Sequence, residues 1–135
     1  IRDTETMKRC LNAAETGHLV LGTLHASSVI EAIIRMESFF NQEQIEAISM
    51  QIASSLNSII IQKLISTIDE NLVCCMDILL ATTAVKNLIS KNQLSQLISQ
   101  MQLNRQNGMQ FIQDDIEKLV KAKLIDEKIA KKYIG

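Results

Sequence analysis

Apolar residues recur at steps of three and four along most of this chain, and two runs interrupt that rhythm with almost no charge. A period of 3.6 residues places such positions on one face of an α-helix, whereas a short apolar run bounded by turn residues suits a strand. The chain should therefore fold as a mixed α/β unit with more helix than strand. Not one proline occurs in its 135 residues to break an element from within.

From Thr4 to Glu15 the spacing of Met7, Leu11 and Ala14 predicts a helix with Thr4 as cap and Gly17 as its stop. His18 to His25, rich in Leu and Val, predicts a strand. Ser28-x-x-Glu31 reads as a capping box that opens a helix through about Ser38. Asn41-x-x-Gln44 then opens the longest helix, with Ile45, Ile48, Ile52, Leu56 and Ile59 on one face through roughly Ser66. That helix should be central to the core. Asp69-Glu70-Asn71 is a turn, and Leu72 to Leu80 is a second strand apolar enough to be covered on both sides. Thr82 or Thr83 caps a helix from Val85 to Ser90, and Asn92 caps another through Gln102. After a polar turn from Asn104 to Gly108, two helices close the chain, Met109 to Lys121 and Asp126 to Tyr133.

A content of 47% apolar residues and a net charge of −1 exclude a disordered tail and give no reason to expect nucleic acid. No apolar run approaches the ~18 residues of a membrane span, so direct membrane insertion is not expected. Cys10 and the adjacent Cys74-Cys75 are too few and too badly spaced for a disulfide framework or a zinc site, which fits packing roles in a reducing cytoplasm. The opening reads as a piece of something longer, with its missing part upstream: charges lead directly into a patterned helix, with no initiator methionine.

Two features carry chemistry. On a strand, His18 and His25 would lie more than ~20 Å apart on opposite faces, at ~3.3 Å per residue, and could not share a metal. His25 gains weight from its place at a strand's C-terminal end, just before a Ser-capped helix, where ligands bind in open α/β sheets and anions are favoured. Arg2-Asp3, alone, is an ordinary solvated charged pair. The chain has no Gly-x-x-x-x-Gly-Lys-Ser/Thr phosphate cradle and no Ser/His/Asp or paired-cysteine arrangement.

The run Ile1-Arg2-Asp3-Thr4-Glu5-Thr6, then Ala14-Glu15-Thr16-Gly17-His18 through Leu24-His25, resembles the segment from the Walker B motif to the His box of type IV pilus retraction (twitching motility) ATPases, the PilT/PilU-like branch of the secretion ATPases. Met50 to Leu64 is similar to that family's long helix, and Gly108-Met109-Gln110 to its Gly-Met-Gln entry to the last helices. Ala84-Val85-Lys86-Asn87-Leu88-Ile89 is similar to a motif associated with pilus retraction. The likeness spans essentially the whole chain.

That resemblance implies a fold: the C-terminal part of a RecA-like P-loop ATPase domain over residues 1–81, followed by a helical C-terminal subdomain over 82–135 carrying the retraction-like motif. It implies a function too, a cytoplasmic motor at the pilus base that couples ATP hydrolysis to pilus retraction. The complete protein would bind ATP and Mg²⁺ and act as a homo-hexamer with the inner-membrane pilus machinery. His25 with Thr23 would be the His-box residues at the γ-phosphate, Arg2 and Asp3 the remnant of Walker B, whose glutamate would immediately precede Ile1. No metal ligand is expected in this chain, no nucleotide should bind tightly to it, and it should be inactive alone. The alternative is a degenerate, non-enzymatic remnant or interaction module that binds a related pilus ATPase. Departures from the family keep that alternative open: Ala26-Ser27-Ser28 after the histidine, Phe39-Phe40-Asn41 without a proline, and Lys86, Ser90 and Lys91 in the retraction-like motif. Lys86 and Asn87 are the expected exposed functional surface, with Val85, Leu88 and Ile89 as a packing face.

Overall fold

In the computed structural model, which describes residues 1–134, a carboxylate starts α1 (Thr4–Glu15) and a glycine stops it. Asp3 is the cap, in place of Thr4: its two oxygens accept from the Thr6 amide at 2.8 Å and the Thr6 hydroxyl at 2.9 Å. An ionised acceptor suits the positive end of a helix better than a neutral hydroxyl does. Thr4 is free to donate to the Phe39 carbonyl at 2.6 Å, tying the start of α1 to the region behind the next helix. Gly17 takes a φ of 91°, which turns its own amide and that of His18 back onto the Ala14 and Ala13 carbonyls. A left-handed residue just past a helix permits that pair of bonds.

The strand expected over His18–His25 does not form. A strand needs a neighbour to receive its backbone groups, and the two strands present pair with each other. Among the described residues, the one hydrogen bond to a backbone group at positions 19–26 comes from the Ile1 terminal ammonium to the Thr23 carbonyl, at 2.6 Å. Leu19 and Leu21 stand 77% and 90% exposed in consequence.

α2 (Val29–Glu37) begins as its sequence predicts, with the Ser28 hydroxyl accepting from the Glu31 amide at 3.1 Å. The single long helix of the sequence reading becomes two elements, α3 (Ile45–Ser55) and β1 (Ser58–Ser66), with Leu56 already extended at ψ 133°. Helical spacing holds as far as Leu56. Beyond it, Ile59, Ile61 and Ile65 are buried in alternation, the period of a strand, and a run of β-branched isoleucines favours that geometry.

β2 (Leu72–Leu80) pairs antiparallel with β1 from Ser58 opposite Leu80 to Ser66 opposite Leu72. Only one face of this hairpin is covered, contrary to the expectation for β2. Cys75 and Leu79 are fully buried, whereas Leu72, Leu64 and Ile60 on the other side are at least half exposed.

Thr82 caps α4 (Thr83–Ser90), accepting from the Val85 amide. Asn92 ends this helix and does not start the next: at φ 54° it turns its own and the Gln93 amide onto the Ile89 and Leu88 carbonyls. α5 (Leu97–Leu103), α6 (Ile112–Lys121) and α7 (Glu127–Ile134) complete the chain. The predicted start of α6 at Met109 falls three residues early, because Gln110 pairs as a β-bridge with Ile78. One hydrophobic core gathers Ile33, Ile52, Ile65, Leu79, Ile89 and Leu97, each inaccessible or nearly so. Each such side chain contributes about 1.5–3 kcal/mol of burial.

Candidate functional site

Three separate segments meet along one side of α2. The Thr4–Phe39 hydrogen bond brings the chain's first residues against the end of α2, and the Ile1–Thr23 bond brings residues 18–27 against those first residues. Gly22 leaves room for this approach, since a Cβ there would stand 2.9 Å from the Ile1 Cδ1. Between them lies an open depression of about 570 Å³ lined by Arg2, His25, Glu31, Arg35 and Phe39 among others.

Glu31 is the best-connected side chain of this site. Its Oε2 accepts from the Ser27 hydroxyl and from the Ser27 amide, the latter at 2.7 Å. The expected capping box is therefore half formed: Ser28 caps α2, but Glu31 reaches one residue further back than the cap. Those two Ser27 bonds, the hydroxyl's first, hold the Glu31 carboxyl below its ordinary range, with Arg35 adding to them. The Arg35 guanidinium lies 3.9 Å from Oε1, an exposed pair of little energetic weight.

Of the residues singled out in the sequence, Arg2 and His25 share the depression. Thr23 contributes its carbonyl to Ile1. Asp3 is occupied as the α1 cap, and the Thr6 amide and then the Thr6 hydroxyl hold its carboxyl below the usual range. The retraction-like motif divides as its amphipathic pattern requires, with Val85 and Ile89 fully buried, Leu88 half-buried, and Ala84 and Asn87 exposed. The Lys86 Nζ makes an exposed hydrogen bond, donating to the Ser54 carbonyl at 2.9 Å in the last turn of α3. A cation is favoured at that negative end of the helix dipole.

Two residues of the site were not singled out for it. Glu31 is legible in the sequence as a helix cap, and its i, i+4 spacing from Arg35 on one helix is the signal that could find both. Chemically, the arrangement offers two guanidinium groups and an imidazole around one opening, suited to an anion. Its hydroxyl–carboxylate pair, Ser27 with Glu31, ties the loop to α2.

Residues 1–74 match the family described as type II/IV secretion system protein. The chain is 37% identical over 133 residues to a twitching motility protein of Neisseria gonorrhoeae, covering 98% of this chain and 36% of that protein. It is also 37% identical over 131 residues to the type IV pilus retractation ATPase PilT of Pseudomonas aeruginosa, covering 97% of this chain and 38% of that one. Among solved structures, the pilus retraction motor PilT with bound ADP superposes with a TM-score of 0.84 at 38% identity, over 96% of this chain and 36% of PilT. The chain thus spans little more than a third of the length of these relatives, and corresponds to their C-terminal part.

Proposed function

Because this chain belongs to the type II/IV secretion system protein family, we propose that it forms the C-terminal part of a pilus retraction motor that hydrolyses ATP in its complete form. The observation that carries this reading is the shared depression, where the chain's opening residues, His25 and Arg35 come together. Its donors fit part of a nucleotide: Arg2, Arg35 and the His25 ring can meet the negative charge of a polyphosphate. They do not fit Mg²⁺, since Asp3 already serves as a helix cap. In this reading metal ligands and the phosphate-binding loop come from another part of the motor.

Bound ATP supplies the phosphoryl group whose transfer to water drives the motor. Phosphoryl transfer asks the protein mainly for positioning and charge stabilisation. His25 would present its ring toward the γ-phosphate, and Thr23 would set the backbone two residues before it through its bond with Ile1. Residues 1–81 would complete the ATPase core and residues 82–135 the helical subdomain, with Asn87 and Ala84 as the outward part of the retraction-like motif. Assembly would be a homo-hexamer at the cytoplasmic face of the pilus base. Among the described residues no helix is long and apolar enough to cross a membrane.

The test is direct. The purified 135-residue chain should hydrolyse no ATP above a His25→Ala control, whereas the same chain joined to an upstream part bearing a Gly-x-x-x-x-Gly-Lys-Ser/Thr loop should hydrolyse it and lose that activity on the same substitution. A coding sequence with no such loop upstream refutes the motor and favours the remnant that binds a related ATPase.

A further inference from the structure

We propose that Glu31 is the positioning residue of the His25 loop: by holding Ser27, it fixes the histidine ring at the mouth of the depression. The inference rests on the motor reading for its catalytic consequence, but its structural basis is independent. Between Leu19 and Ser27 the backbone makes no ladder, and the His25 ring has no hydrogen-bond partner of its own among the described residues. Two tethers bracket it. Upstream, the Thr23 carbonyl accepts from Ile1 at 2.6 Å. Downstream, the Ser27 amide donates to Glu31 at 2.7 Å and the Ser27 hydroxyl donates to the same oxygen.

Glu31 can act as an anchor because it is itself fixed. It stands in the first turn of α2, whose start is pinned by the Ser28 cap and whose inner face is buried through Val29, Ala32 and Ile33. The three residues Leu24, His25 and Ala26 thus span the gap between one backbone tether and one side-chain tether. Removing the downstream one frees Ser27 and leaves His25 positioned only by the Thr23 bond, the half-buried Leu24 and Ala26 beside it and the Ser28 cap three residues on. A reacting group displaced by ~1 Å can lose on the order of a hundredfold in rate, so the anchor should matter to turnover although Glu31 never touches the reacting atoms.

Two measurements test this. In the complete motor, Glu31→Ala should lower kcat on the order of tenfold or more, a larger change than in KM for ATP, at a temperature where the variant is fully folded. Glu31→Gln keeps an acceptor oxygen and loses only the charge assistance, so it should stay within roughly threefold of the parent. If Glu31→Ala does not fold, Glu31→Asp, one methylene too short to reach Ser27, should show the same loss of kcat. In the 135-residue chain itself, NMR should show the His25 ring signals broadened and the Ser27 amide exchanging faster in Glu31→Ala. Unchanged His25 signals and unchanged Ser27 exchange would overturn the proposal, as would equal losses of kcat in the Ala and Gln variants. A parent protein that hydrolyses no ATP refutes the motor reading alone, and the NMR arm still decides the role of Glu31.

Discussion

Asp115 joins the closing helices to the sheet, and its removal should cost the chain a measurable share of its stability. One carboxylate oxygen accepts from the Met76 amide of β2 at 3.1 Å and from the Gln110 side chain at 2.6 Å. The other pairs with Lys118 at 3.3 Å, where the lysine is 69% exposed and adds little. Asp115→Ala leaves the part-buried Met76 amide without an acceptor, which costs about 1–3 kcal/mol. Gln110 keeps its second bond, to the Met76 carbonyl at 3.1 Å, so the amide side chain is not orphaned. A net loss of about 2 kcal/mol follows, and with a urea m-value of ~2 kcal/mol/M the midpoint should fall by ~1 M at unchanged m. Asp115→Asn retains an acceptor and should lose roughly half as much. A double-mutant cycle with Gln110→Ala should give a coupling of ~0.5 kcal/mol or more, because both residues share that oxygen. A midpoint within experimental error of the parent for Asp115→Ala, or strict additivity in the cycle, would refute the reasoning.

Three further outcomes are expected. Lys123 holds a left-handed φ of 57° at the end of α6, and Lys123→Gly should stabilise the chain by about 0.5–1 kcal/mol after the added freedom of the unfolded chain is counted, read as a raised thermal midpoint. Asp3 and Glu31 have carboxyl groups held below their ordinary values of 3.8 and 4.5. Below those values the unfolded chain binds more protons, so their contribution is present above them and is lost as pH falls through the folded pKa; the Asp3→Asn, Glu31→Gln double variant should flatten that acid limb of a stability–pH curve. Cys75 is fully buried and its thiol is pushed up chiefly by that burial, while Cys74 is exposed, so iodoacetamide at pH 8 should label Cys74 rapidly and Cys75 only on unfolding.

Most helix boundaries were legible because their signals are local. Ser28, Thr82 and Gly17 act on residues within four positions of themselves, a range that spacing rules cover. The errors share a different cause. Ile45 through Leu56 fits a helix and Ile59 through Ile65 fits a strand, yet the two patterns agree where they join, and only pairing with Leu72–Leu80 decides where one stops. His18–His25 failed in the opposite direction: its composition suits a strand, but composition supplies no neighbour. Gln110 was drawn into a helix by the apolar pattern that follows it, and the Ile78 backbone outbid that pattern from 32 residues away.

The site shows the same division within a single residue. An i, i+3 rule read Glu31 as the second half of a capping box with Ser28, and a glutamate at that position can indeed reach the cap residue's amide. Ser27, one step further back, offers an amide and a hydroxyl to the same oxygen, so the carboxylate makes two bonds there in place of one. Two charge-assisted bonds outweigh one. The choice matters because Ser27 stands two residues from His25, so a side chain that was legible as a helix cap becomes, through a shift of one residue, the means by which α2 holds the loop carrying the histidine. No spacing rule favours that outcome over the ordinary box; it follows from where the chain enters α2 and from the tether at Thr23 that limits how residues 24–26 can run.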